Sequence, residues 1–183
     1  MKQQRLSTVG SSHPVIDLDH YVPGYLTWIA NKLTRGASQA YLAAFDIGVE
    51  SWRLLVLLAI ECTISAQRCS RVIGMDKASV SRAFKLMQSR GLITISLDAS
   101  DGRLRVATIT QKGRQLHNRI MQVALERERA LLSVFDAAER EVLIGLLRRM
   151  HENLPSVEAA TDRYLAAHFP KARRKAVLRK EQA

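Results

Sequence analysis

Apolar residues recur at helical spacing along most of the chain. Leu26, Ile29, Ala30, Leu33, Ala37, Ala40, Tyr41 and Ala44 predict a helix over about 25–45, opened by Pro23-Gly24 and broken at Gly48. Ser51 is placed to cap a second helix, Trp52 to about Glu61, which is apolar nearly all round and therefore buried. Ser65 caps a short third helix that stops at Gly74. Asp76 caps a fourth, whose Val80, Ala83, Phe84 and Met87 fall at i, i+3, i+4 and i+7. Gly91 ends it.

The period then drops from 3.6 to 2. Leu92 to Leu97 alternate apolar and polar as in a half-buried strand, Asp101-Gly102 is a hairpin turn signal, and Arg103 to Ile109 return as a second strand. Helical spacing resumes at Thr110, with Leu116, Ile120, Val123, Leu131 and Val134 on one side. A sixth helix starts at Asp136, carries Leu143, Leu146, Leu147, Met150 and Leu154, and is ended by Pro155; Ser156 to His168 predict one more. The fold class is therefore mainly α with a small β-hairpin wing (α+β). It is a winged helix-turn-helix at about 51–110, set between helices at about 25–45 and 111–154 within a domain over 21–154. Residues 1–20 are polar and without pattern, an expected flexible arm. Residues 155–183 form a basic extension ending in "KARRKAVLRK".

Charge sharpens this picture. The net charge is +11, but residues 66–114 hold ten basic side chains against three acidic, and residues 155–183 hold seven against three. Every other segment balances. A solubilising charge would be spread out; one focused on the fourth helix, its flanks and the tail suits a polyanion.

Other classes lack their parts. The longest apolar run, Leu54 to Ile60, is too short to span a bilayer, and the N-terminus has no apolar signal core. A soluble, cytoplasmic protein is expected. Cys62 and Cys69 make no disulfide framework and read as small helix residues. His13, His20, His117, His151 and His168 have no partner at ligand spacing, so neither metal nor cofactor is expected. With no glycine-rich phosphate loop and no nucleophile beside a base, an enzyme is not expected.

On the fourth helix, Arg82, Lys85, Ala78 and Ser89 lie opposite the apolar stripe, with Ser79 and Ser81 on its shoulders. Short serines let a helix axis come close to a major groove, and Lys77, Arg82 and Lys85 then reach base edges or phosphates. Arg103 at the hairpin tip suits a minor groove. Asp101 is placed to hold its guanidinium in a forked pair. Arg105, on the returning strand, extends the cationic set. Cationic helices are also often mere solvated faces, and some winged helices bind protein; helix, wing tip and local charge together favour double-stranded DNA.

The stretch "VIGMDKASVSRAFKLMQSRGLITISLDASDGRLRVATITQKGRQL" resembles the core of the MarR family of winged-helix transcription regulators. The likeness rests on Ser79-Val80-Ser81-Arg82, Arg90-Gly91-Leu92, Asp101-Gly102-Arg103 and Ile109-Thr110-Gln111-Lys112-Gly113, and with the helix order it covers roughly 20–154. Lys85 departs from it, standing where many members carry an acid, and no cysteine lies within 25–45, where redox-sensing members use one. The resemblance implies a homodimer built on the first, fifth and sixth helices, whose apolar surface exceeds what a small winged helix covers. It implies a pseudo-palindromic operator, repression, and release by a small aromatic acid or aryl thioester of coenzyme A. Trp28, Lys32, Trp52 and Arg53 are the candidate effector residues, offering aromatic walls and cations; a core tryptophan and a solvated lysine are the plainer readings. The branch controlling aromatic-acid and hydroxycinnamate catabolism is the nearest in character. A non-specific architectural DNA-binding protein is the alternative function. The tail is either a solvated end or an arm along flanking phosphates.

Overall fold

A computed structural model describes residues 15–98 and 105–169, with the backbone of 6 and 7. Two compact units divide the chain, Met1–Arg127 and Glu128–Ala183. Among the described residues no helix is long and apolar enough to cross a membrane.

The first unit opens with a two-stranded antiparallel ladder, β1 (Leu6–Ser7) and β2 (Val15–Ile16), and a 3-10 turn over Leu18–His20. The expected pattern-free arm thus contains a little regular structure. Helix α1 runs Val22–Phe45 and starts earlier than the apolar spacing implied. Pro23 lies in its first turn, where a missing N–H breaks no helical bond. The break also moves: Asp46, not Gly48, ends α1 in the left-handed region at φ 56°. Gly48 instead becomes the extended start residue of α2 (Val49–Glu61), and its carbonyl accepts from the Trp52 amide. Ser51 therefore caps nothing; it is a buried residue of the first turn.

The helix-turn-helix follows as expected. Ser65 caps α3 (Ala66–Ile73) by accepting from the Arg68 amide, and Gly74 closes it at φ 75°. Asp76 caps α4 (Lys77–Ser89) by accepting from the Ser79 amide at 2.8 Å. Val80, Ala83, Phe84 and Met87 are all buried, as their spacing requires.

Strands β4 (Ile93–Leu97) and β5 (Arg105–Ile109) form the wing, in antiparallel register from Ile93↔Ile109 to Leu97↔Arg105. A third strand, β3 (Thr63–Ser65), pairs with the far side of β5, and Thr63 and Thr108 share a hydrogen bond of 2.9 Å across the ladder. Helix α5 (Gln111–Leu131) is capped by Thr110, whose hydroxyl accepts from the Gly113 amide at 3.0 Å. Gly113 is tight against β4's start: a Cβ there would collide with the Leu92 carbonyl oxygen. One core gathers Tyr41, Ile47, Leu54, Leu55, Leu58, Cys69, Phe84, Met87, Ile93, Ala107 and Ile120 from α1 through α5.

In the second unit, Asp136 and Glu139 form a reciprocal capping box that starts α6 (Ala137–Glu152). Two expectations fail here. Val134 does not continue α5; it lies beyond the last helical residue and is exposed. Pro155 does not end α6; it sits in the first turn of α7 (Leu154–His168), and α6 has already ended at Glu152. Neither α6 nor α7 buries a residue, although Val142, Ile144, Leu146, Leu147, Val157 and Tyr164 are large and apolar.

Candidate nucleic-acid interface

The buried stripe fixes the rotation of α4, and rotation decides what the helix displays. With Val80, Ala83, Phe84 and Met87 in the core, Lys77, Ser81, Arg82 and Lys85 are exposed and Ser79 is half-buried. After the capping Asp76 this helix carries no carboxylate. Asp76 is itself occupied by Ser79, and those hydrogen bonds hold its carboxyl below the usual aspartate range: first the hydroxyl, then the backbone amide.

Between α4 and the wing lies a groove of about 550 Å³. Ser81, Lys85 and Gln88 line one wall, Ser96 and Arg105 the other, and Phe84 and Val106 the floor. Three of the expected residues, Ser81, Lys85 and Arg105, are thereby brought to one surface. Asp101 and Arg103 lie outside the described residues, as does the basic tail over 171–180.

The C-terminal end of α4 is anchored by contacts that no local spacing announces. The Arg90 guanidinium pairs with the Asp46 carboxylate at 2.9 Å and also donates to the Asp46 carbonyl. Lys112 Nζ donates to the Arg90 carbonyl at 2.8 Å. Ends of α1, α4 and α5 are thus tied together, and the cationic helix is held at both termini: by Asp76 at one and Arg90 at the other.

Arg82 has two neighbourhoods. Its Nη2 donates to Ser79 Oγ at 2.7 Å, and its side chain also lines a second cleft of about 550 Å³ formed by α1, the start of α2 and α4. The four effector candidates do not line that cleft. Arg53 reaches its edge, donating to the Thr34 hydroxyl at 3.0 Å, and Thr34 is a lining residue. Trp52 is half-buried between the Tyr41 ring, edge-on at 5.9 Å, and the His117 ring, stacked at 5.3 Å. Trp28 is exposed on α1 against Tyr25, and Lys32 is exposed.

Both cysteines are free. Cys62 is not within a helix as expected but is the exposed residue that follows α2, at φ 61°, and burial pushes the Cys69 thiol up to about 11. A thiol so raised is a packing residue at neutral pH.

No family model matches the chain. Known proteins resemble it in sequence and fold. The uncharacterised helix-turn-helix-type transcriptional regulator YdgJ of Bacillus subtilis is 32% identical over 120 residues, spanning 64% of this chain and 71% of that protein. The crystal structure of a MarR/EmrR family transcriptional regulator from Acinetobacter sp. ADP1 superposes with a TM-score of 0.72 at 31% identity, over 77% of this chain and 99% of that one. CouR of Rhodococcus jostii RHA1, solved with p-coumaroyl-CoA bound, shares the fold with a TM-score of 0.65 at 18% identity, over 75% and 93%. With a capped cationic helix, a wing beside it and relatives above 30% identity over most of their length, the chain belongs to the MarR/EmrR family of transcriptional regulators.

Proposed function

We propose that the protein is a sequence-specific DNA-binding repressor that acts as a homodimer and is released by a small anionic ligand. The observation that carries the DNA reading is the outward face of α4. The buried stripe presents Lys77, Ser81, Arg82 and Lys85 together with no competing carboxylate. A helix of this kind fits the major groove, with serines allowing close approach and cations reaching bases or phosphates. Arg105 continues the cationic surface onto the wing, and Asp101 with Arg103 is assigned the neighbouring minor groove.

Dimerisation is supported by apolar surface without internal cover. Tyr25, Leu26, Trp28 and Ile29 are exposed on α1, and α6 and α7 expose apolar residues along their length. A two-fold dimer places two copies of α4 about one DNA turn, ~34 Å, apart and reads a pseudo-palindrome. The ligand reading draws support from CouR, a protein of this fold holding an aryl-CoA. An aromatic acid or aryl-CoA is the proposed class.

Selection of bound fragments from random duplex, followed by footprinting, tests this reading. A regulator protects a defined two-fold site. Uniform coating without register would identify an architectural protein instead.

A further inference from the structure

Helix α4 faces α1 across open space. The cleft of about 550 Å³ has Thr34 and Ser38 on its α1 side and Arg82 and Leu86 on its α4 side. At the C-terminal end of α4 one side chain bridges the two helices. The Arg90 guanidinium uses both terminal nitrogens on Asp46, one on the carboxylate at 2.9 Å and one on the carbonyl. A further cleft of about 520 Å³ lies beside this pair and is lined by both residues.

Both ends of the bridge are fixed. Asp46 ends α1 in the left-handed region at φ 56°, so its carbonyl leaves the helix direction and is open to an outside donor. Arg90 ends α4. Gly91 follows at φ 68°, the Leu92 amide closes the turn on the Met87 carbonyl at 2.9 Å, and Lys112 of α5 donates to the Arg90 carbonyl. Helices α1 and α5 are themselves joined: the Arg119 guanidinium lies 5.3 Å over the Phe45 ring, and Arg127 donates to the Leu33 carbonyl at 3.0 Å. Arg90 and Lys112 therefore attach α4 to a frame made by α1 and α5.

We propose that the Arg90–Asp46 fork is a positioning strap that sets the offset of α4 from α1, and through it the half-site spacing the protein accepts. The spacing rests on the reading of the chain as a two-fold DNA-binding dimer; the strap does not. In a dimer joined through α1, the offset of each α4 from its own α1 fixes the distance between the two copies. One added base pair moves a half-site by about 3.4 Å and turns it by about 34°. A bidentate fork resists both movements, whereas a lysine, a point charge on a flexible stem, resists neither. Folding asks little of this pair, because the Asp46 side chain is 85% exposed and exposed ion pairs add little stability. Such a pair holds up to about fivefold in an equilibrium constant, and a dimer has two, so together they oppose a misplaced half-site by up to about 25-fold.

Two measurements on the full chain test this. The first needs no DNA. Spin labels at Gln39→Cys on α1 and Gln88→Cys on α4, in a Cys62→Ser background diluted with unlabelled chain, report the distance between the helices by electron–electron resonance. Arg90→Gln, Arg90→Lys and Asp46→Asn should each broaden that distribution. Glu61→Gln, which breaks the exposed Arg68–Glu61 pair elsewhere in the same unit, should leave it unchanged. The second compares affinity for the two-fold duplex recovered by selection, for versions with one base pair added or removed between half-sites, and for a single half-site. Wild type should penalise the altered spacings. Arg90→Gln and Asp46→Asn should reduce that penalty by about 5- to 25-fold while keeping half-site affinity within about twofold. An unchanged distance distribution would overturn the strap. A broadened distribution with an unchanged spacing penalty would overturn its part in spacing, as would a half-site loss equal to the full-site loss. Failure of the wild type to prefer any two-fold duplex would overturn the dimeric DNA reading and the spacing with it, while the distance measurement still decides the strap.

Discussion

Asp76 and Arg82 are joined through one hydroxyl: Ser79 Oγ donates to Asp76 Oδ2 at 2.7 Å and accepts from Arg82 Nη2 at 2.7 Å. The residue that starts α4 therefore also sets where its central arginine rests. A cap and a cation proposed to face DNA share one network, so a change at the cap reaches the exposed face of α4.

Asp76→Ala should lower the melting temperature and weaken DNA binding together, whereas Asp76→Asn should keep most of the cap, since asparagine accepts the same amide bond. The pH dependence has a definite sign. Ser79 depresses the folded pKa of Asp76, so its contribution is present above the unfolded value and is lost as pH falls through the folded one. Thermal melts of wild type and Asp76→Asn should differ at neutral pH and converge below about pH 4, the ordinary aspartate range. A difference that persists unchanged into acid would show that the carboxylate charge does no work there.

Gly113 is a packing requirement. Its missing Cβ makes room for the Leu92 carbonyl, the same oxygen that accepts from the Thr110 amide and hydroxyl. Gly113→Ala should destabilise the first unit by about 1–3 kcal/mol in urea unfolding, the cost of overpacking against backbone. Gly145→Ala, in α6 with open space around its Cβ position, should instead be neutral or stabilise by up to about 1 kcal/mol.

What the sequence disclosed follows the range of the interactions concerned. The α4 stripe and the Asp76 cap are local, so spacing and residue type suffice to find them. Strand β3 escaped because three residues beside a helix carry no period of their own, and their partner, β5, lies more than forty residues on. Ser51 misled for a related reason: a good capping residue yields when the helix has already started from Gly48, three positions earlier. Pro155 stops a helix or starts one equally well, and the helix on its C-terminal side decided the matter. The cleft joins residues 31–38, 48–51 and 82–86, which no motif links. Trp28 and Trp52 stand outside it, and Trp52 packs against Tyr41 and His117.

The wing pair is tested by a double-mutant cycle. Arg103→Ala should weaken binding to a specific site by about 1–3 kcal/mol, and Asp101→Ala should do much the same by releasing Arg103. The double variant should lose clearly less than the sum. Additive losses would mean that the two side chains act separately.

Positioning and reading separate on α4. Lys77→Ala and Lys85→Ala should lower affinity on all sequences and reduce the salt slope by about one unit each, as lost phosphate contacts do. Arg82→Ala should instead relax preference at one base pair per half-site. An Arg82→Ala protein with unchanged base preference would remove Arg82 from the reading surface.

The most direct measurement is equilibrium affinity across a salt series for a selected two-fold duplex and its scrambled counterpart. A specific regulator binds the selected duplex at least about 10³-fold more tightly, with log affinity falling linearly against log salt on both. Equal affinity for the two duplexes, or an affinity that does not change with salt, would contradict the reading of α4 as a DNA-recognition helix.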